Sequence, residues 1–288
     1  MLQRLVKIIH RYSNHRDFLP PFVGFIILAI INHKLFKMKK YLIVLLTLFS
    51  VLISAQNVFF LHGISVPNEY RKTFESVQVD YLSKMAQDEV DAGRMEGWAL
   101  LKRVQGIGNS SDYKYNYFWV HSFENIDQMV NRRSFWRNFK SKFGIERSSL
   151  GKVEYGANGR YFFKTVSAFQ TGEVGKYVIL NDGRPKDLNK AIELSEKAGK
   201  IFEMNAKKHG MTGWGVATTI APQDMHNPSN IFFWDIYDSM SGVMKHMAYE
   251  SVISEVPQEM NMEFSENMPN GFNHRNICEI LSITKPKM

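Results

Sequence analysis

The chain has very little cysteine and none of the short motifs that mark common catalytic or metal sites. Cys278 is its only cysteine, so no disulfide can form within the chain, and a thiol between apolar residues is expected to lie buried in a strand. HExxH, CxxC, a GK[ST] phosphate-loop ending, a serine elbow and a kinase signature are all absent. The sequence therefore predicts no metal site and identifies no reaction class, and stability must come from a buried core.

Most of the chain also lacks an excess of positive charge, although its formal net charge is +8. Residues 1–55 hold eight of the 36 Lys and Arg residues but only one of the 28 Asp and Glu residues. The remaining 233 residues therefore carry 28 basic and 27 acidic side chains, a net charge of +1. Because a nucleic-acid-binding surface needs an excess of positive charge, no nucleic-acid partner is expected.

The N-terminal leader contains the features of a secretory signal peptide. Met38-Lys39-Lys40 supplies a basic start, the residues from 41 to 53 are mostly apolar, and Ser54-Ala55 is a small-residue cleavage site. This run is shorter than the roughly 20 residues that span a bilayer. We therefore expect a signal peptide at residues 38–55, cleavage after Ala55, and a periplasmic or extracellular protein.

Residues 1–37 have two interpretations. They are an upstream extension if Met38 is the true start, or their apolar run at 18–31 forms a membrane hairpin or anchor with the second run. Membrane contact is expected only through this leader.

The rest of the chain contains a repeat. Met95-Glu96-Gly97-Trp98 recurs as Met211-Thr212-Gly213-Trp214, 116 positions later, and an aromatic segment follows each copy by about twenty residues. These aromatic segments are Tyr117-Phe118-Trp119-Val120 and Phe232-Phe233-Trp234-Asp235. The spacing predicts two copies of one unit, at residues 56–171 and 174–288.

Hydrophobic periodicity predicts the order βαββαβ in each copy. In the first copy we expect strands at 58–64, 97–104, 115–121 and 161–166, with helices at 70–90 and from about 124. In the second copy we expect strands at 177–180, 214–220, 231–237 and 277–284, a turn at 181–183, and helices at 186–208 and from about 239. A polar, Met-rich loop containing Met260, Met262 and Met268 is expected before the last strand.

This pattern of strand, long helix, Gly-Trp strand and aromatic strand resembles the dimeric α+β barrel superfamily, which includes EthD-like, NIPSNAP-like and antibiotic-biosynthesis-monooxygenase-like proteins. The resemblance implies an α+β fold in which two tandem ferredoxin-like repeats form one intramolecular barrel behind the signal leader. The bare faces of the two sheets would then pack together. Because that superfamily carries unrelated chemistries on one scaffold, the resemblance implies a fold rather than an activity.

Aromatic and histidine side chains on the predicted strands are the candidate site residues. A cavity between the two sheets could hold a small apolar or aromatic ligand; alternatively, the same aromatic side chains fill the core. The candidate ligand-binding residues are Trp98, Tyr117, Trp119, Trp214 and Trp234.

His121 shares a strand face with Tyr117 and Trp119, whereas the matching face of the second copy is expected to carry Phe232, Trp234 and Ile236. His121 would then have no counterpart. Together with His62 it is a candidate catalytic general base, or else a core histidine bonded to the backbone.

The function hypotheses fall into three classes. The first is small-molecule binding or cofactor-independent oxygenase or EthD-like chemistry in the inter-sheet cavity, with no cofactor. The second is a haem protein resembling chlorite dismutase, with His246 or His209 as axial ligand. The third is a non-catalytic structural or assembly module, and oligomers are possible in each case.

One further stretch, from Arg132 to Lys140, interleaves basic and aromatic residues. It is expected to be a solvated helix, with contact to an anionic surface or acidic ligand as the alternative.

Overall fold

The structure, a computed structural model, describes residues 57–104, 114–224 and 229–285. The predicted signal peptide and upstream extension lie outside these residues. Among the described helices, none is both long enough and apolar enough to cross a membrane.

The first copy contains four strands and a layer of helices in the predicted order. A π-helical segment (Val77–Leu82) joins α1 to α2, and 3₁₀ turns lie at Phe135–Asn138 and Arg147–Leu150. The other elements are β1 (Val58–Ile64), α1 (Asn68–Ser76), α2 (Ser83–Asp91), β2 (Gly97–Arg103), β3 (Tyr117–Phe123), α3 (Ile126–Val130), α4 (Phe139–Phe143) and β4 (Asn158–Gln170).

The second copy repeats this order with longer helices. Its 3₁₀ turns lie at Lys207–His209 and Val252–Glu255. The other elements are β5 (Tyr177–Gly183), α5 (Leu188–Asn205), β6 (Met211–Ala221), β7 (Ile231–Tyr237), α6 (Met240–Met247), α7 (Gln258–Asn267) and β8 (His274–Ile283).

Local sequence signals explain where the second copy's helices begin and end. The Asp187 side chain accepts a hydrogen bond from the backbone N–H of Lys190 and caps α5. Ser239 caps α6 in the same way by accepting from the N–H of Gly242. Gly210, with a φ of 67°, ends the helical stretch in the left-handed region that favours glycine.

Two predicted elements of the second copy differ from the structure. Residues 181–183, expected as a turn, are the end of β5: all three pair with β7, and Asn181 and Asp182 also pair with β8. The expected Met-rich loop contains α7, which begins after Pro257. This helix has few apolar side chains, so its periodicity is too weak to be read from the sequence.

The strands form one closed barrel of eight strands. The first copy contributes β4, β1, β3 and β2 in that order, and the second contributes β8, β5, β7 and β6 in the corresponding order. The copies meet along two antiparallel pairs, β2 with β8 and β6 with β4. This order of four strands is that of a ferredoxin-like sheet, so the predicted intramolecular barrel is confirmed.

Apolar side chains from both copies fill the barrel interior. The phenyl rings of Phe59 and Phe163 stack at 5.1 Å, and those of Phe163 and Phe232 at 4.6 Å. Leu61, Leu101, Phe118, Leu180 and Cys278 belong to the same cluster. The space in which the sequence predicted a ligand cavity is therefore occupied by packed side chains.

Candidate ligand-binding site

The structure contains a cavity of about 890 Å³ on the outer side of the first copy's sheet. Its floor is formed by β1, β3 and β4, and its walls by the π-helical segment, by α2 and by residues 130–136. Both faces of this sheet are thus covered, one by the barrel interior and the other by helices. The cavity lies on the helical side.

His62 and His121 both line this cavity. On the adjacent strands β1 and β3, Phe60 pairs with His121 and His62 pairs with Trp119. Since side chains alternate along a strand, these four side chains project toward the same face. The His121 ring stacks on Phe60 with centroids 4.5 Å apart, and the His62 ring lies 5.0 Å from that of Trp119.

The environment keeps both imidazoles uncharged at neutral pH. Burial and the nearby Arg160 guanidinium lower the pKa of His62 to about 4. Burial, with smaller contributions from His62, Arg132 and Arg160, lowers the pKa of His121 to about 3. Within the described part of the chain neither imidazole has a hydrogen-bond partner on the protein. Each ring nitrogen can therefore interact with a molecule in the cavity.

Gln78 is a cavity residue that was not predicted from the sequence. It is only 1% exposed and lies in the π-helical segment, where its Oε1 accepts a hydrogen bond from Trp119 Nε1 at 2.9 Å. Single-turn π segments occur often at functional sites. The sequence signal for Gln78 was its position next to Val77, on the apolar face of the helix predicted at residues 70–90.

Among the described residues, five arginines and one carboxylate line the same cavity. Glu89 is that carboxylate, and it binds Arg94 at 2.7 Å. The other lining arginines are Arg132, Arg133, Arg147 and Arg160. The cavity therefore combines aromatic walls with a strong excess of positive charge.

Arg132 to Trp136 form part of the cavity wall. Arg132 and Arg133 are also exposed to solvent, as the sequence predicted. The guanidinium of Arg132 lies 4.7 Å from the Phe60 ring centroid and donates to the backbone oxygen of Met129. Burial and the charge of Arg160 lower the pKa of Arg132. The continuous helix expected over residues 132–140 is instead a 3₁₀ turn followed by the short α4, because the apolar residues here lack helical spacing.

The other predicted site residues lie elsewhere. Trp98 is 2% exposed in the core under the helices, and Tyr117 packs against Phe74 and hydrogen-bonds the Glu75 carboxylate. Trp214 lines a smaller cavity in the second copy. Trp234 projects into the barrel interior, 5.3 Å from Phe59. Of the five predicted ligand-binding aromatics, the structure brings Trp119 together with the two histidines.

Strand register shows that His121 has a counterpart, contrary to the prediction. His121 pairs with Trp98 on β2, and Asp235 pairs with Trp214 on β6. Matching the two sheets in this way also places Phe233, rather than Trp234, at the position of Trp119. The sequence comparison was offset by one residue because it matched the two Phe-Trp pairs, and a shift of one residue exchanges the two faces of a strand.

The same register gives His62 and Arg160 counterparts in the second copy. His62 pairs with Arg160 across β1 and β4, and Asn181 pairs with Arg275 across β5 and β8. Arg275 Nε donates to Asn181 Oδ1 at 2.9 Å, and Asn181 Nδ2 donates to an oxygen of Asp235 at 2.7 Å. These polar groups therefore satisfy one another.

Asp235 extends this network toward the helices. Burial raises the pKa of its carboxyl, and His246 Nε2 lies 3.7 Å from it. The Tyr237 hydroxyl is 2.7 Å from His246 Nδ1 and 3.2 Å from the Ser251 hydroxyl. The cavity beside this network has a volume of only about 230 Å³.

The two histidines considered as haem ligands are engaged with other protein groups. His246 is 3% exposed, with its ring nitrogens directed at Tyr237 and Asp235, and His209 Nε2 lies 2.8 Å from the Glu255 carboxylate. Over residues 57–104, 114–224 and 229–285, no three His, Cys, Asp or Glu side chains form a group that could hold a metal ion.

Neither a protein-family model nor the sequence of a curated protein matches this chain. Its fold does match solved structures. A protein named "Putative monooxygenase" from Lactobacillus acidophilus NCFM has a TM-score of 0.50 and 14% identity, over 81% of this chain and 97% of that one. A protein of the same name from Fusobacterium nucleatum has a TM-score of 0.49 and 10% identity, over 82% and 98%. A variant of chlorite dismutase from Candidatus Nitrospira defluvii has a TM-score of 0.43 and 8% identity, over 80% and 92%.

At sequence identities this low, the structural similarity is evidence for the fold and not for the site. Together with the strand order and the closed barrel, it confirms the resemblance noted in the sequence: this chain has the fold of the dimeric α+β barrel superfamily.

Proposed function

We propose that this protein binds a small apolar or aromatic molecule in the cavity between the first sheet and its helices. The observation that carries the proposal is that His62 and His121 line a cavity of about 890 Å³ and have no hydrogen-bond partner among the residues that the structure describes. Ligand sites are typically concave and mostly apolar, with a few polar groups that orient the ligand.

The composition of the cavity walls supports an aromatic ligand. Six aromatic side chains line it together with aliphatic groups: Phe60, Trp119, Phe123, Phe135, Trp136 and Tyr155. Flat aromatic walls favour ring contacts with a flat ligand, each worth about 0.5–1.5 kcal/mol beyond burial of area. Gln78 and the two imidazoles provide the hydrogen-bonding groups.

A neutral fluorescent probe tests this proposal. N-phenyl-1-naphthylamine fluoresces strongly when it enters an apolar cavity, so titration with the purified protein gives an affinity. We expect Phe135→Ala to weaken binding about tenfold, since it removes roughly 1–2 kcal/mol of apolar contact. Phe264→Ala, in the smaller cavity of the second copy, is the matched control. No binding, or an equal loss in both variants, would refute the proposal.

A second candidate function is proton abstraction from the bound molecule, as in cofactor-independent chemistry of the monooxygenase or EthD type. Its support is that both imidazoles line the cavity and, in the described part of the chain, bond no other protein group, so a ring nitrogen is available to accept a proton. The burial and the arginine charges that lower their pKa also make them weaker bases than a free histidine. Exchange of the acidic C–H protons of 2-tetralone in D₂O, followed by NMR, measures this activity. We expect exchange to be catalysed and to fall at least tenfold in His121→Phe. Equal rates with and without the protein would exclude the function for this substrate class.

Haem binding has less support, because His246 and His209 already contact Asp235, Tyr237 and Glu255. Addition of haemin to the purified protein tests it directly. A Soret band that shifts in His246→Ala or His209→Ala would favour the haem function over the binding of an apolar ligand.

We also propose that the protein is exported. The support is the basic start at Met38-Lys39-Lys40, the apolar run and the small-residue end at Ala55. N-terminal sequencing of the protein recovered from the periplasmic or extracellular fraction should give Gln56 as the first residue. A retained leader would instead favour the anchor interpretation.

A further inference from the structure

We propose that the ligand of this cavity is an anion: an apolar or aromatic body bearing a carboxylate or a similar acidic group, held by Arg132 and Arg160. This inference rests on the proposed ligand-binding function and specifies its substrate class. It depends on the charge inventory of the cavity, on the positions of the two arginines, and on a comparison with the second copy.

The charged side chains that line the cavity are mostly positive. Of the five lining arginines, Arg94 is paired with Glu89, the one lining carboxylate. In the described part of the chain, no carboxylate lies within ion-pair distance of Arg132, Arg133 or Arg160. Positive groups in a partly enclosed cavity repel one another more strongly than they would in water. A bound anion would relieve that repulsion.

The positions of Arg132 and Arg160 suit a ligand with one acidic end. Arg160 pairs with His62 across β1 and β4, at the floor of the cavity. Arg132 lies over the face of Phe60, which in turn stacks on His121. The two guanidinium groups are close enough for the charge of Arg160 to lower the pKa of Arg132. An acidic group between them would sit beside both histidines, with the aromatic walls around the ligand body.

The second copy shows that the fold itself does not require an unpaired arginine at this position. Arg275, the counterpart of Arg160, donates to Asn181, which donates to the buried Asp235. In the first copy the corresponding positions are His62 and His121, which offer no negative charge. The uncompensated charge is therefore a property of this cavity, where guanidinium groups can bind an acidic ligand by charge-assisted hydrogen bonds.

Two probes that share one aromatic body test the inference. N-phenyl-1-naphthylamine is neutral, and 8-anilinonaphthalene-1-sulfonate adds one sulfonate to the same framework. We expect the sulfonate to bind about tenfold more tightly, a difference of about 1.4 kcal/mol. That ratio should fall to about one in the double variant Arg132→Gln, Arg160→Gln. The control is Arg137→Gln, which removes a nearby exposed charge outside the cavity and should leave the ratio unchanged.

The outcomes separate this inference from the function on which it rests. If the neutral probe binds and the sulfonate binds no better, the anion inference is wrong and the ligand-binding function stands. A sulfonate preference that is equal in wild type and the double variant would also overturn it, because general surface attraction would then be the cause. If neither probe binds, the proposed function itself fails.

Discussion

His121 and Asp235 occupy the same position in the two copies, each paired with a tryptophan on the neighbouring strand. Both side chains are buried under helices, yet one belongs to an open, cationic cavity and the other to a closed hydrogen-bonded network.

Replacement of Asn181 should cost far more stability than replacement of its counterpart His62. Asn181→Leu leaves the buried carboxylate of Asp235 and the guanidinium of Arg275 without their hydrogen bonds, so we expect a loss of roughly 2–4 kcal/mol. His62→Leu breaks no hydrogen bond with the residues described in the structure and should cost less than about 1 kcal/mol. Urea unfolding of both variants measures the difference. Equal losses would contradict the contrast between the two sites.

His121 should destabilise the fold in acid. Its folded pKa of about 3 lies below the value of about 6.5 expected in the unfolded chain, so between these values the unfolded state binds a proton that the folded state does not. Stability is therefore lost as the pH falls from about 6.5 toward 3. Wild type should lose stability between about pH 7.5 and 5. In His121→Phe that loss should be smaller by about 1–2 kcal/mol. Urea unfolding at the two pH values checks this.

His274→Gln is the control, because His274 is expected to change the pH dependence of stability in the opposite direction. Its hydrogen bond with Asp182 raises the pKa of His274, so this histidine stabilises the fold at acid pH and the contribution is lost as the pH rises through the folded pKa. The His274 variant should thus lose stability mainly at the lower pH. A His121 variant whose pH dependence matches that of wild type would contradict the buried, uncharged imidazole.

Gly215 is required by the close approach of Trp234 in the barrel interior. A Cβ atom added at residue 215 would overlap the indole ring of Trp234. We expect Gly215→Ala to destabilise the fold by roughly 1–3 kcal/mol through overpacking. At Gly156 the nearest atom to an added Cβ is 3.4 Å away, so Gly156→Ala should be nearly neutral. Thermal unfolding of the two variants gives the comparison, and similar melting temperatures would argue against the packed interior.

Cys278 should be unreactive in the folded protein. Its side chain is fully buried in the barrel, and burial raises the pKa of the thiol well above its usual range. We expect an aromatic disulfide reagent to label it only when the barrel opens, and completely in concentrated guanidinium chloride. Rapid labelling of the native protein would indicate that the interior is open to solvent.

Much of the architecture could be predicted from hydrophobic periodicity. The bounds of β1 and β7 agree with the predictions, and the order of strands and long helices agrees in both copies. These elements are predictable because alternation and helical spacing are local properties of the sequence. The weakly amphipathic α7 and the extended end of β5 were missed because their structure depends on tertiary contacts.

The position of the site was less predictable, because alternation along a strand separates two faces without showing which one is inside. In this barrel both faces are buried, one by the interior and the other by helices. Trp119 and Trp234 therefore look alike in sequence although they lie on opposite sides of the sheet. Gln78 and Arg132 reach the cavity because the π-helical segment and the non-helical stretch after α3 pack against the strands, and that packing depends on tertiary contacts.

Closure of the sheet also limits how copies of this protein can associate. Each of the eight described strands has a paired neighbour on both sides, so none presents the unpaired N–H and C=O groups through which edge strands recruit another chain. Association by strand addition would first require the barrel to open. For the part of the chain that the structure describes, contacts between closed barrels would use side chains on the outer surface, where Met204, Met244 and Tyr249 are among the exposed apolar groups.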